Sequence, residues 1–314
     1  MEQPTADQRL IIVGGAPRSG TTLVQNMLDS HPQILGGPEF LHLSDIVELH
    51  RKIVRSIGRG WVDLICTRSQ LDTYINTLIK DILIGFADRH QARYLSEKSP
   101  MNILVFPELL ELLPGSHFIR VVRDPRATIA SLLKVGSRAR EKGQKPAYFT
   151  ANTDAAVRYV KRCLNAGHRA AQQWPGRVHT IAYERLVRDP EGETQRVCEH
   201  LGIEWAPEMC RPSAKEHLGE QAITVNSQEL WYDKATYYSD PNTGGLDKWK
   251  ESLGTLQQVK IQREFAGFEP LAGLGYELSM YKGPGFGVMA GVVRLLDGVG
   301  ALKNRVRARP VRVQ

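Results

Sequence analysis

Cysteine is scarce in this sequence of 314 residues, which contains only Cys66, Cys163, Cys198 and Cys210. The four are widely spaced and form neither a CxxC motif nor a cluster with histidine. This spacing argues against a structural zinc site and against a disulfide framework. Because such cysteine usage is typical of a reducing compartment, we expect a cytoplasmic protein.

Long hydrophobic runs are also missing. No run approaches the roughly 18 consecutive apolar residues that a membrane-spanning helix requires, which excludes a transmembrane protein. Residues 1–9 carry acidic side chains and no apolar segment, so we expect no signal peptide. With 42% hydrophobic and 24% charged residues, the composition excludes a disordered or collagen-like chain and is typical of a globular protein with a full core.

The positive charge is concentrated near residue 314. The formal net charge is +7, but residues 283–314 hold six basic side chains and one acidic one, which leaves the rest of the chain near +2. Because the body is close to neutral, we expect no nucleic-acid partner. The tail also repeats apolar residues at helical spacing. It is either a helix docked on the body or on another subunit, or a peripheral contact with an anionic membrane.

Short apolar runs alternate with helical patterns. The first run, residues 10–14, is rich in β-branched side chains and ends in glycines, which is typical of a buried parallel strand. Further strand-like runs cover 93–96, 117–122 and 178–183, and helical patterns cover 21–30, 102–113, 126–140 and 154–173. This alternation predicts an α/β fold, a P-loop-like doubly wound parallel sheet flanked by helices. We expect one domain over 1–282 with a helical insertion at about 41–90, and a tail over 283–314.

A glycine-containing loop separates the first strand from the first helix. Gly15-Ala16-Pro17-Arg18-Ser19-Gly20-Thr21-Thr22 has the spacing of the phosphate-binding loop G-x-x-x-x-G-K-[ST], except that Thr21 replaces the lysine. Backbone N–H groups, the helix start and the forked cation of Arg18 can still bind a phosphate. A glycine turn without a ligand is the weaker interpretation. The missing lysine removes the main argument for nucleoside-triphosphate chemistry.

The same loop carries a family resemblance. Residues 12–24 resemble the 5′-phosphosulfate loop of sulfotransferases that use 3′-phosphoadenosine 5′-phosphosulfate (PAPS), in particular the tyrosylprotein sulfotransferases and their bacterial relatives. Other segments agree in order and spacing: Met27–Pro32 with Gly37-Pro38-Glu39, Glu97-Lys98-Ser99-Pro100, Arg120–Ala127 with Ser131, Tyr183–Val187, Leu201-Gly202-Ile203 and Lys248-Trp249. The resemblance covers about residues 10–280.

This resemblance implies a role for each matching residue. Pro17, Arg18, Ser19, Gly20, Thr21 and Thr22 would bind the 5′-phosphosulfate, Arg123 and Ser131 the 3′-phosphate, and Tyr183, Lys248 and Trp249 would complete the PAPS site. Glu39 would be the general base, with Lys98 and Arg18 as catalytic cations at the leaving phosphate. No metal is expected, because the 5′ side carries a single phosphate bearing the sulfuryl group.

Without the resemblance, each of these residues has a simpler interpretation. Glu39 could cap a helix or pair with a surface cation, and Arg123 could pair with a nearby acid such as Asp124. Lys98 could be a solvated surface lysine. Tyr183 could be a half-buried core residue, and Trp249 could pack at a helix start.

Departures from the family pattern bear on the acceptor. Phe40-Leu41 follows Glu39, where the tyrosylprotein enzymes carry a basic residue that helps to hold acidic peptides. We therefore expect the hydroxyl of a small molecule, glycan or lipid rather than that of an acidic tyrosine peptide. Lys134-Val135 stands where those enzymes have an arginine, so the 3′ site is expected to differ.

Two other function classes remain open from the sequence. A P-loop-type nucleotide kinase would need a magnesium-binding aspartate, for which only Asp124 is available in the recognised motifs. A non-catalytic nucleotide-binding protein would have no need to combine Glu39 and Lys98 with the phosphate-binding residues.

Overall fold

A computed structural model describes residues 4–219, 230–231, 239–276 and 278. The chain divides into two compact units, residues 1–246 and 247–314. The predicted boundary at residue 283 and the basic tail lie outside the described residues, so both stay predictions, as does the cytoplasmic location.

The first unit is built on one parallel sheet of five strands. These are β1 (Leu10–Gly15), β2 (Ile34–Gly36), β3 (Tyr94–Lys98), β4 (His117–Val122) and β5 (Val178–Ala182), in the order β2-β3-β1-β4-β5. The chain first builds one side of β1 and then crosses to the other side, and every strand pairing is parallel. The predicted doubly wound parallel sheet is therefore confirmed.

Helices follow the strands. They are α1 (Thr21–Asp29), α2 (Leu43–Ile57), α3 (Arg68–Arg89), α4 (Phe106–Leu112), α5 (Pro125–Glu141), α6 (Thr153–Gln173), α7 (Tyr183–Arg188) and α8 (Pro190–Leu201). Helices α2 and α3 occupy the stretch that the sequence marks as a helical insertion. None of the described helices is long and apolar enough to cross a bilayer.

Two local predictions need correction. The helix predicted over 102–113 is interrupted: Pro100–Val105 is a 3-10 helix, and α4 starts only at Phe106. Pro107 in the first turn of α4 has no N–H to continue an upstream helix, which explains the break. Tyr183, predicted to end a strand, is instead the first residue of α7.

The core explains why β1 reads as a continuous apolar run. All six of its residues are buried. Ile11 and Val13 pack with Met27 and Leu28 of α1 on one face of the sheet. Alternate residues of a strand point to opposite faces, so the other side chains of β1 need cover on the second face as well. A strand buried on both faces ends beside the glycine loop and fixes that loop against the sheet.

The described part of the second unit includes the helices α9 (Trp249–Ser252) and α10 (Thr255–Phe265). Trp249 is buried and begins α9, in agreement with the simpler interpretation of that residue, while Lys248 is exposed. The assignment of Lys248 and Trp249 to a PAPS site stays a prediction.

Candidate active site

The loop between β1 and α1 has the conformation that its glycines allow. Gly20 has a φ of 98° and Arg18 a φ of 73°, and Ser19 N–H donates to the Ala16 carbonyl over 3.0 Å. A Cβ atom on Gly20 would lie 2.2 Å from Cδ2 of Tyr183, so glycine is required by contact as well as by conformation. Helix α1 begins immediately afterwards, at Thr21, and directs its N-terminal end at the loop.

Three of the predicted phosphate ligands meet at this loop. Arg18 Nε donates to Ser131 Oγ over 3.0 Å, and Arg123 Nη1 donates to the Arg18 carbonyl over 3.3 Å. The Arg123 guanidinium also lies 4.3 Å from the centre of the Tyr183 ring, within range of a cation–π contact. Residues from the loop, from the end of β4, from α5 and from α7 thus surround one small volume.

Arg123 does not pair with its neighbour Asp124. That carboxylate instead binds Arg126 Nη2 at 2.6 Å and accepts from the Arg126 backbone N–H at the start of α5. An ion pair between Arg123 and Asp124 is therefore excluded. The same contacts count against Asp124 as the magnesium ligand that a kinase would need.

Glu39 and Lys98 form an ion pair beside the loop. The side chain of Lys98 is 6% exposed and that of Glu39 is 18% exposed, so this is not a surface pair. Lys98 Nζ also lies 3.5 Å from Thr22 Oγ1 in the first turn of α1. Lys98 ends β3, which pairs with β1, and this pairing carries its ammonium group to the loop.

Glu39 caps no helix, because α2 begins only at Leu43. Neither Gly36 nor Gly37, the glycines that precede Glu39, has a positive φ. Gly36 is needed for a close approach instead, since its Cβ would lie 2.6 Å from Cβ of Asp29.

Two buried polar atoms at the loop have unused hydrogen-bonding capacity. Ser19 Oγ and Arg123 Nε are buried, and neither has a hydrogen-bond partner among the described residues. Buried donors without partners are rare in folded proteins. Together with Arg18 and Lys98 they fit an anionic ligand such as a phosphate or phosphosulfate group. Within the described part of the chain, no cluster of three or more histidine, cysteine or acidic side chains could hold a metal ion.

The loop forms one wall of a cleft of about 530 Å³. Arg18, Thr22, Glu39, Arg123 and Tyr183 contribute its polar wall. The rest of the lining is mostly apolar and includes Leu23, Leu41, Met101, Phe149, Leu230 and Trp231. Ser239, Asp240, Asn242 and Gln144 add further polar groups.

Sequence reasoning missed most of the apolar lining. Phe149, Leu230 and Trp231 lie in short 3-10 or turn segments without periodic patterning, far from the recognised motifs. Trp231 is held at the loop by its backbone, because its carbonyl accepts a hydrogen bond from Arg18 Nη1. A backbone contact leaves no signature in the side-chain sequence.

The sequence of this chain matches a known protein family. A sequence model described as "Sulfotransferase family" matches residues 10–207. Protein-tyrosine sulfotransferase 2 of Gallus gallus is 30% identical over 275 residues, which cover 85% of this chain and 69% of that protein. Protein-tyrosine sulfotransferase A of Caenorhabditis elegans is 28% identical over 272 residues, covering 85% of this chain and 67% of that protein.

Solved structures share the fold at low sequence identity. The sulfotransferase domain from the curacin biosynthetic pathway aligns with a TM-score of 0.55 and 20% identity, covering 85% of this chain and 98% of the domain. The sulfotransferase domain of the Synechococcus PCC 7002 olefin synthase aligns with a TM-score of 0.51 and 19% identity, covering 85% and 96%. These likenesses support the fold assignment.

Proposed function

Since this chain belongs to the sulfotransferase family, we propose that it transfers a sulfuryl group from PAPS to the hydroxyl group of an acceptor. The observation that carries this proposal is the ion pair that Lys98 forms with Glu39, which lines the same cleft as the phosphate-binding loop. A carboxylate that can take a proton and a cation that can neutralise a phosphate oxygen are the two groups the reaction needs.

The donor nucleotide would be bound at both of its phosphate positions. The backbone of the loop, Ser19 and the start of α1 would hold the 5′ phosphosulfate. Arg123 and Ser131 would bind the 3′-phosphate, and the contact of Arg123 with Tyr183 fixes the guanidinium in place for that purpose. When bound, PAPS supplies an activated sulfuryl group, and the protein supplies position and charge.

Glu39 would act as the general base. The acceptor hydroxyl oxygen forms a bond to sulfur while the bond between sulfur and the 5′-phosphate oxygen breaks, and the hydroxyl proton passes to the Glu39 carboxylate. The products are a sulfate ester and adenosine 3′,5′-bisphosphate. Lys98, whose Nζ lies 3.5 Å from Thr22 Oγ1, would neutralise the negative charge that develops on the leaving phosphate.

The acceptor site favours a neutral molecule with an apolar body. Leu41 and Met101 are exposed at the cleft and face it together with Phe149 and Trp231. Basic side chains in the cleft, Arg18 and Arg123, belong to the proposed nucleotide site. We therefore propose a small-molecule, glycan or lipid hydroxyl, with an apolar phenol or alcohol as the first acceptor to test.

A protein tyrosine is the second candidate acceptor. The relatives named above are protein-tyrosine sulfotransferases, and a tyrosine side chain is itself an apolar ring that ends in a hydroxyl. The two candidates differ in the charge around the reacting group. Among the described residues that line the cleft, the proposed nucleotide ligands are the only basic side chains that an acidic peptide would meet.

A single transfer assay separates these candidates. The protein is incubated with sulfur-labelled PAPS and three acceptor sets: neutral phenols and alcohols, a neutral tyrosine peptide, and the same peptide flanked by aspartates. We expect label transfer to the neutral set, and to the neutral peptide in preference to the acidic one. Preference for the acidic peptide would reassign the acceptor to an acidic tyrosine peptide. If no acceptor receives label from PAPS but phosphate is transferred from ATP, the proposal is overturned.

A further inference from the structure

The backbone makes a strained turn immediately after Glu39. Leu41 has a φ of 62°, in the left-handed region that side chains with a Cβ rarely adopt. His42 N–H donates to the Phe40 carbonyl over 2.8 Å, which closes a very tight turn. Strained residues of this kind persist only where their surroundings hold them in place. Neighbouring residues must therefore hold Leu41 in this conformation.

The end of β3 and the segment after it hold the turn through three buried side chains, which we call the Glu97 clip: Glu97, Ser99 and Asn102. Phe40 N–H donates to Glu97 Oε1 over 3.1 Å, and Leu41 N–H donates to Ser99 Oγ over 3.2 Å. Both backbone amides of the strained turn are thus bound by side chains of the clip.

The clip is itself tied together. Ser99 Oγ–H donates to Glu97 Oε1 over 2.6 Å, and Asn102 Nδ2 donates to the second oxygen, Oε2. Glu97 is only 2% exposed, so three donors within the protein replace its hydration. A glutamine side chain in place of Glu97 would have one acceptor oxygen fewer, and its N–H groups would face the donors that now bind the carboxylate.

Glu97 also connects the two groups of the ion pair. It directly precedes Lys98 in β3, so the strand that presents the ammonium group also holds the turn that presents Glu39. The pKa of Glu97 is raised above its ordinary value. Burial is the main cause and the charge of Glu39 adds to it, while the three hydrogen bonds act in the opposite direction. Two carboxylates close together repel each other, which makes this arrangement unfavourable. Packing alone would not require a carboxylate at Glu97, so we look for its role in the site.

We propose that Glu97 is a positioning residue for Glu39: the clip holds the strained turn so that the Glu39 carboxylate stays at Lys98 and the phosphate loop. This inference rests on the proposed function, in which Glu39 is the base. It concerns turnover and not nucleotide affinity, because no clip residue lies among the proposed phosphate ligands.

The first test is Glu97→Gln, which keeps the size of the side chain and removes one acceptor. We expect kcat with the best acceptor to fall roughly 10- to 100-fold, because a small displacement of a reacting group has effects of this order. The dissociation constant for adenosine 3′,5′-bisphosphate and the KM for the acceptor should change by less than about 2-fold. An unchanged kcat would overturn the proposal.

Glu193→Gln provides the matched control. Glu193 is a fully buried carboxylate of α8, and it accepts hydrogen bonds from Arg185 Nε at 2.8 Å and from Arg196 Nε at 3.1 Å. Its loss should lower the melting temperature and leave kcat unchanged. If both variants lower kcat to the same extent, the effect of Glu97 is a general loss of stability and the proposal is wrong.

A double-mutant cycle with Glu39→Gln decides whether Glu97 acts through Glu39. Once the base is gone, Glu97→Gln should lower the remaining turnover less than about 2-fold. Independent, multiplying losses would overturn the positioning role while leaving the base assignment intact. Full turnover by Glu39→Gln alone would instead show that the base assignment has failed, and the positioning role with it.

Ser99→Ala covers the case in which Glu97→Gln does not fold. This change removes the acceptor of Leu41 N–H and leaves Glu97 with two donors, so the core loses a single oxygen atom. We expect the same pattern at smaller size: a lower kcat, an unchanged nucleotide affinity and no further effect in the Glu39→Gln background. A parent-like kcat in a folded Ser99→Ala variant would count against the clip.

Discussion

Arg18 and Ser131 are 113 residues apart in the sequence, yet Arg18 Nε donates a 3.0 Å hydrogen bond to Ser131 Oγ. Arg18 lies in the phosphate loop and Ser131 lies in α5, so this contact joins the element proposed to bind the 5′ side of the donor to the element proposed to bind its 3′ side. A change on either side should therefore alter the affinity for a nucleotide that carries both phosphates.

Arg123→Ala should remove most of the selectivity for the 3′-phosphate. We expect adenosine 3′,5′-bisphosphate to bind the parent protein much more tightly than 5′-AMP, and the variant to lose about 2–3 kcal/mol of binding free energy for the bisphosphate only, as for a charge-assisted hydrogen bond. Calorimetric titration of both nucleotides measures this difference. Arg140→Ala, an exposed arginine of the neighbouring helix α5, is the control and should bind like the parent. Equal affinity of the parent for both nucleotides would contradict the proposed donor.

Gly20→Ala should lower the stability of the protein by more than the cost of placing alanine in a left-handed backbone conformation. The added Cβ would meet the Tyr183 ring at 2.2 Å, and overpacking of this kind costs about 1–3 kcal/mol. Gly60→Ala is the matched control, because Gly60 also has a positive φ, 72°, but no atom within 4 Å of the added Cβ. Both variants lose about 1 kcal/mol to conformation.

Thermal unfolding and nucleotide titration distinguish the two glycine variants. Gly60→Ala should bind adenosine 3′,5′-bisphosphate like the parent, whereas Gly20→Ala should bind it more than 10-fold more weakly, because Tyr183 and Arg123 are displaced together. Equal behaviour of the two variants would show that Tyr183 does not pack against the loop in solution.

The polar residues of the site could be predicted from the sequence for a physical reason. Lys98, Arg123 and Tyr183 stand at or directly after the carboxyl ends of β3, β4 and β5, and parallel strands bring such ends to one edge of a sheet. Recognising the strands was therefore enough to expect Arg123 near the phosphate loop, whereas Lys98 and Tyr183 also needed the family resemblance. Glu39 needed the family spacing as well, since no strand end fixes its place.

The apolar half of the site depends on contacts that the sequence does not display. Arg18 Nη1 and the Trp231 carbonyl are 213 residues apart, and a carbonyl has the same chemistry in every residue. Strand β2 was missed because three residues are too few for a periodic pattern. The Glu97 clip was missed because Glu97 and Ser99 were considered only as neighbours of Lys98, and their hydrogen bonds to Phe40 and Leu41 cross 57 and 58 residues.

The free energy of unfolding should decrease as the pH is lowered, because of a histidine cluster away from the cleft. His117 and His179 lie in β4 and β5, and the ring of His200 lies 5.8 Å from His117 and 5.4 Å from His179. Burial, with the neighbouring His200, lowers the pKa of both strand histidines from 6.5 to about 4. The unfolded chain therefore binds more protons than the folded protein between these two pH values.

The sign and the size follow from proton linkage. A depressed histidine pKa contributes stability that is present above pH 6.5 and is lost as the pH falls toward 4, by up to about 1.4 kcal/mol per pH unit for each histidine. Urea unfolding at pH 7.0, 6.0 and 5.0 measures this slope. Replacing His117 and His179 by glutamine should flatten it, and His90→Gln, at an exposed position, should not. A slope that the double variant leaves intact would assign acid sensitivity to other groups.

Glu39→Gln should separate catalysis from nucleotide binding. The amide keeps the shape of the side chain and can still accept a hydrogen bond from Lys98, but it cannot take up the acceptor proton. We expect turnover to fall roughly 10²- to 10⁴-fold, the usual contribution of a positioned general base, while the affinity for adenosine 3′,5′-bisphosphate stays within a few-fold of the parent. The control is Glu48→Gln, a carboxylate of α2 that pairs with Arg55 at the surface and should leave both quantities unchanged. Single-turnover measurements with the best acceptor test the chemical step directly. A Glu39→Gln variant with parent-like single-turnover rates would assign proton abstraction to another group and leave Glu39 only the role of orienting Lys98.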